Sequence, residues 1–392
     1  MKNNCRREWT TMEKKRIRDY GVDTGRMKTG KRNKITDVPG VQVGHCTIKN
    51  AENCTGVTVI LPGQDNCFSR KYTAAAYVHN GFGKSAGLMQ IEELGVLETP
   101  IALTNTLNVG IVWDSLAEYV IRQCEKDGIP ALSINPVVGE CNDSRINRIQ
   151  NRAVKMEHVF KAIEGAGEDF AEGDVGAGAG TICYGLKGGI GSASRTLTLD
   201  GKTYTIGVLV QSNFGAAMDL VLNGTMAGQQ IIQMRNQMEK MEAAEKMTPR
   251  PMDTDEEDKG SIMTILATDL PVTSRQLKRI IRRTAVGIAR TGAYTGHGSG
   301  EVMIGFTTAN RIPASGQGKL LAFSMIPEES INAAFQAAAE AAHEAILNSM
   351  ACAGSAQGIG GEMYWSLSAF LPQLLKEAKG PVISQAAPLR FL

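Results

Sequence analysis

Apolar positions along this chain fall into two patterns: short β-branched runs, and longer stretches with three- and four-residue spacing. The runs are GVTVILP (56–62), YTIGVLVQ (204–211), SIMTILAT (261–268) and EVMIGFTT (301–308). Each is apolar along much of its length, as expected of strands buried on both faces or inside a sandwich core. Between them, SAGLMQIEELG (85–95) and WDSLAEYVIRQCEKDG (113–128) carry helical spacing, the second stopping at Gly128. SRQLKRIIRRTAVGIAR (274–290) predicts a helix with a basic face, N-capped by Ser274. INAAFQAAAEAAHEAILNSMACA (331–353) is the most strongly helical segment, and its alanines favour close packing. Strands and helices mix throughout, which predicts an α/β or α+β layered fold.

One break interrupts this pattern, at 238–260. It begins with helix formers, loses apolar periodicity at Pro249 and Pro251, and continues through Asp253, Asp255, Glu256, Glu257 and Asp258. Such a segment is expected to be exposed and mobile. It does not read as a boundary between domains, because the strand after it needs partners from the chain before it. No internal repeat is visible, and 392 residues allow one large domain or two or three smaller ones.

Composition narrows the class. Hydrophobic content of 43% with 21% charged residues is globular. A net charge of +2 gives no case for nucleic acid, and the basic residues of RREWTTMEKKRIR (6–18) read as a solvated arm. No apolar run approaches the ~20 residues of a membrane span. The N-terminus also lacks the apolar core of a signal peptide, so the cytoplasm is the expected compartment. The eight cysteines are dispersed without a CxxC pair and read as buried free thiols. The five histidines show no zinc-ligand spacing, so neither metal nor cofactor is expected.

Two familiar chemistries fail on spacing. GDVGAGAGTICYGLKGGIGSAS (173–194) is rich in glycine, but Lys187 is followed by Gly188, so the phosphate-loop pattern is absent, and GxGxxG does not fit either. Close backbone packing or a tight active-site wall is the better reading. No strict GxSxG occurs, and His297 in GHGSGE, close in sequence to Ser299, reads as a loop residue because triad partners come from distant segments.

The seam Gly260-Ser261 offers another chemistry. Gly and Ser before a strand are ordinary turn residues. Alternatively the chain is cut between them. A terminal serine carries its own base, since an α-amine with a pKa near ~7.7–8.0 is substantially neutral around physiological pH. Gly260 lacks a Cβ and can take a strained conformation that lets the Ser261 hydroxyl reach its carbonyl.

A resemblance spanning about residues 16–370 favours the second reading. RIRDYGVDTGRMKTGKRNKITDVPGVQVGHCTI is similar to the opening signature of the L-aminopeptidase D-amidase/D-esterase family, which includes the β-peptidyl aminopeptidases. NGFGKSAGLMQIEELGVLETPIALTNTLNVG, PVVGECND, GDVGAGAGTICYGLKGGIGSASR and KGSIMTILATDLPVTSRQLKRIIRRTAVGIARTG resemble the same family in the same order. The resemblance implies an αββα sandwich like that of N-terminal-nucleophile hydrolases, shared with ornithine acetyltransferases. It implies one precursor cut into an α chain (1–260) and a β chain (261–392), with 248–260 an exposed linker and Ser261 the nucleophile.

By the same resemblance, Asn213 in VQSNFG aligns with an oxyanion-hole side chain. Ser299 and Glu301 align with a polar pair that holds the terminal amine and hydroxyl and relays protons. Glu140 aligns with the carboxylate that binds the substrate's ammonium, although alone it would read as a capping or surface acid. The implied substrates are small peptides or amino-acid amides and esters, and the implied assembly is a homo-oligomer of processed heterodimers.

Asn142 and Ser144-Arg145 depart from the family pattern, so the substrate wall is altered and its preference cannot be borrowed. Two rivals remain. One is an acyltransferase on the same scaffold, against which serine at 261 argues, since ornithine acetyltransferases use threonine there. The other is an unprocessed, non-catalytic relative.

Overall fold

Every β-branched run is a strand, each lengthened by its neighbours, and together they build two sheets. The computed structural model describes residues 14–245, 260–315 and 318–377. The basic arm up to residue 13 and the linker from 246 through Lys259 lie outside the described residues. Along the chain the strands are β1 Gln42–Lys49, β2 Cys54–Leu61, β3 Arg70–Gly81, β4 Val96–Leu97, β5 Ile101–Asn105 and β6 Val137–Cys141. A short hairpin follows, β7 Ile182–Cys183 and β8 Leu186–Lys187, then β9 Gly189–Leu199, β10 Lys202–Asn213, β11 Gly260–Thr268 and β12 Ser299–Pro313.

One sheet has the order β1-β2-β5-β6 and the other β4-β3-β12-β11-β10-β9. Pairing is antiparallel except between β5 and β6 and between β11 and β12. The inner faces meet in a shared core: Val43, Ile60, Leu103 and Val137 from the first sheet, Leu209, Met263, Ile265 and Phe306 from the second. The outer face of the first sheet is covered by helices Val109–Lys126 and Met156–Glu164, through Val112, Leu116 and Val159. The outer face of the second is covered by Ser274–Ile281, Thr284–Arg290 and Asn332–Ala351. The order of layers is therefore α, β, β, α, as the resemblance implies.

The alanine-rich helix lies against β9 and β10 with its backbone unusually near the sheet. A Cβ on Gly191 would collide with the Ala345 carbonyl oxygen, so glycine on the strand and alanine on the helix fit each other. The same economy of side chains explains the glycine-rich segment 173–194. Its glycines pack on neighbouring main chain, and Lys187 is fully buried with its ammonium donating to the carbonyls of Gly178, Thr181 and Gly188 at 2.7–3.0 Å. Burial lowers that ammonium to a pKa of about 8. Lys187 braces the loop.

Two helical expectations change. The segment 274–290 forms two helices, Ser274–Ile281 and Thr284–Arg290. At the break Thr284 Oγ1 donates to the Ile281 carbonyl at 2.6 Å, and two neighbouring arginines diverge: Arg282 lies over the Tyr77 ring, Arg283 over Phe335. The N-cap is Thr273, which exchanges hydrogen bonds with Gln276 in a capping box, while Ser274 Oγ donates to Ala74 O at 2.7 Å.

Beneath the alanine-rich helix lies a buried ion network. Arg195 meets Glu340 at 3.2 Å and Glu344 at 2.7 Å, and Arg18 meets Glu344 at 2.8 Å. Burial pushes the Glu344 carboxyl up, but the Arg18 hydrogen bond and the Arg195 charge outweigh it and leave the pKa at about 2. Its stabilising contribution is present above the unfolded carboxylate pKa and is lost as pH falls through about 2. Arg195→Ala strips two buried carboxylates of a cation and is expected to lose roughly 3–5 kcal/mol. Urea unfolding checks this, and an unmoved midpoint would show the network to be dispensable.

Candidate active site

The central strand β11 begins at the seam singled out by the sequence. Gly260 sits at φ +122°, a region L side chains rarely occupy, and a Cβ there would collide with the carbonyl oxygen of Asn213. Glycine is required at this position by both backbone angle and space. Ser261 follows, 5% exposed, opposite Asn213 of β10 on one side and Gly300 of β12 on the other. Residues directly opposite in an antiparallel pair share a face, so Ser261 and Asn213 present their side chains together, towards the inter-sheet layer that holds Met263 and Leu209.

The Asn213 amide is oriented by the backbone. Its Oδ1 accepts the Ile182 N–H at 3.0 Å, which leaves the NH2 end as a donor on the face Asn213 shares with Ser261. Ser299 stands in register with Gly260, and Glu301 with Ile262. These two therefore flank the main chain on either side of Ser261, on the pleat face opposite its hydroxyl, beside the Gly260–Ser261 peptide bond. Both are buried, and Ser299 Oγ donates to Glu301 Oε1. Asn80 secures the arrangement from β3 by donating to the carbonyls of Ser299 and, at 2.9 Å, Gly296. Next to this row β3 skips a residue against Glu301 and Val302, a local bulge of the kind that re-aims side chains near active sites.

Glu140 belongs to the facing sheet. It is 4% exposed on β6, not a capping or surface acid. Its Oε1 accepts the Lys84 backbone N–H at 2.8 Å and its Oε2 accepts the Thr106 hydroxyl. Among the described residues no cationic side chain pairs with it. The next residue ties it to the seam: Cys141 Sγ lies 3.5 Å from both the Ser261 and the Gln211 carbonyl oxygens. Burial pushes that thiol up, so it is a neutral packing group and not a nucleophile.

The remaining sequence candidates divide cleanly. His297 is exposed, with its ring tilted against Phe82 at 6.3 Å between centroids; among the described residues it has no hydrogen bond to a serine, in line with a loop role. Asn142 is exposed, and its Oδ1 accepts the Ser144 N–H at 3.0 Å in a local turn. The seven described cysteines are free thiols, and no group of three or more His, Cys, Asp or Glu side chains among the described residues could hold a metal. No described helix is long and apolar enough to cross a membrane. Asn80, Thr106, the Ile182 N–H and the Lys84 N–H escape residue-by-residue reading, since each acts by holding another group; the blocks NGFGKSAG and TNTLNVG were the only signals.

Known proteins resemble this chain in sequence and in fold. Residues 33–364 match Peptidase family S58. The chain belongs to that family. This S58 chain is 35% identical over 359 residues to the β-peptidyl aminopeptidase BapA of Sphingosinicella microcystinivorans, covering 88% of each. Its structure matches that of the PH0078 protein of Pyrococcus horikoshii OT3 with a TM-score of 0.82 and 41% identity, covering 93% of this chain and 99% of the other. It also matches the L-aminopeptidase D-Ala-esterase/amidase of Ochrobactrum anthropi, described as a variant of the Ntn hydrolase fold, with a TM-score of 0.81 and 31% identity over 93% and 99% of the two chains. The expected fold therefore holds, and the expectation of a hydrolase acting as an aminopeptidase holds at the level of the family.

Proposed function

We propose that this S58 member is a self-processing serine aminopeptidase that releases N-terminal residues from small peptides, amides or esters. The observation that carries it is the head of β11. A serine follows an obligatory, positive-φ glycine, faces an oriented asparagine amide, and is flanked by a buried Ser299–Glu301 pair. In the precursor the Ser261 Oγ attacks the Gly260 carbonyl, the C–N bond breaks, and the released amine takes the hydroxyl proton. Water then hydrolyses the ester, giving chains 1–260 and 261–392.

In turnover the free amine of Ser261 accepts the hydroxyl proton as Oγ attacks the substrate carbonyl. The Asn213 NH2 donates to the developing oxyanion. The proton passes to the leaving amine, and water, deprotonated by the same amine, releases the acyl group. Ser299 and Glu301 hold that amine in place, and the Glu140 carboxylate receives the substrate's ammonium, which restricts the enzyme to free N-termini. The relatives named above, a β-peptidyl aminopeptidase and an L-aminopeptidase, support this reading.

Intact-mass measurement of purified protein tests it. Two chains are expected, the smaller beginning Ser-Ile-Met-Thr, with turnover of an aminoacyl p-nitroanilide by the cut form. An active preparation made wholly of uncut chain would refute the reading.

A further inference from the structure

The segment after β3 crosses from one sheet to the other beside the seam. Gly81 pairs with Gly300, the register partner of Ser261, and Ala86 bridges to Val138 on β6 with hydrogen bonds of 2.8 and 3.1 Å. Residues 82–85 thus form a strap joining the Ser261 row to the Glu140 row, steadied by Ser85 Oγ on Met263 Sδ at 3.5 Å. Lys84 sits in the middle of it. Its backbone N–H holds Glu140, while its side chain is exposed and turned back so that Nζ lies 4.7 Å from the centre of the Phe82 ring. The Phe82 carbonyl in turn packs against Gly300. Among the described residues no carboxylate pairs with the Lys84 ammonium.

The strap therefore carries two opposite charges: the Glu140 carboxylate that its backbone fixes, and, a lysine stem away over the Phe82 ring, an ammonium with no carboxylate partner among the described residues. A dipeptide carries the complementary pair, an ammonium at one end and a carboxylate at the other, separated by about two residues of chain at ~3.3–3.6 Å each. We propose that Lys84 binds the C-terminal carboxylate of the leaving residue, so that the favoured substrates are dipeptides and other very short peptides with a free carboxylate. This rests on the aminopeptidase reading, in which Glu140 takes the substrate's ammonium. The Phe82 ring holds the ammonium in place by cation–π attraction.

The test compares kcat/KM for one dipeptide and for the same dipeptide with an amidated C-terminus, in the processed parent and in Lys84→Met. Methionine keeps the stem over Phe82, and the backbone N–H to Glu140 is retained. The parent is expected to prefer the free acid, and Lys84→Met to lower the acid-to-amide ratio roughly tenfold. Lys84→Arg is expected to restore the ratio and Lys84→Glu to reverse the preference. A ratio that neither Lys84→Met nor Lys84→Glu moves overturns the Lys84 assignment and leaves the aminopeptidase reading standing. Hydrolysis of neither substrate by the parent overturns both.

Discussion

Ser261→Ala is expected to yield a single uncut chain of 42.0 kDa with kcat/KM for aminoacyl p-nitroanilides reduced by roughly 10⁴-fold or more. Two losses have one cause. Without Oγ there is no attack on Gly260, hence no terminal amine, and no acceptor for the substrate's acyl group. The fold has no need of the hydroxyl, since Ser261 is held by main-chain pairing to β10 and β12. The variant is therefore expected to stay soluble and folded by circular dichroism. Ser261→Cys keeps a nucleophile and is expected to be cut. Full hydrolysis by the alanine variant would remove Ser261 from the chemistry altogether.

Asn213→Asp is the sharper probe of the proposed oxyanion site. Alanine would also orphan the Ile182 N–H, which now donates to Asn213 Oδ1 at 3.0 Å, and so would mix structural damage with chemical loss. Aspartate keeps that acceptor and loses the NH2 donor, leaving a negative oxygen where the substrate's own oxygen turns negative. The expected outcome is a folded protein whose kcat falls roughly 10²–10³-fold or further, with KM changed much less. Single-turnover acylation rates check it. A kcat within threefold of the parent would mean that the oxyanion is held by other donors.

Much of this was legible in the residues. The runs at 204–211, 261–268 and 301–308 are apolar along most of their length because they form β10, β11 and β12 at the heart of the larger sheet, with helices on one face and a second sheet on the other. Family blocks supplied the candidate residues, and register brings Asn213, Ser261, Ser299 and Glu301 onto three adjacent strands. Some features were hidden. Asn80 and Thr106 look like ordinary polar loop or strand-end residues until the sheet is folded, because their partners are more than thirty positions away. At the helix break Arg282 and Arg283 lie over aromatic rings from two other elements, Tyr77 and Phe335, which no local pattern reveals.

The interior place of β11 has a consequence for synthesis. Its neighbours are β10, encoded before the seam, and β12, encoded after it, while β12 in turn zips onto β3 near the start. Neither half could finish the six-stranded sheet alone; each would present raw strand borders ready to pair with anything extended. On the proposed reading the peptide link between them is scaffolding: it is needed to thread the ribbon together once, and the finished enzyme works only after that link has been severed.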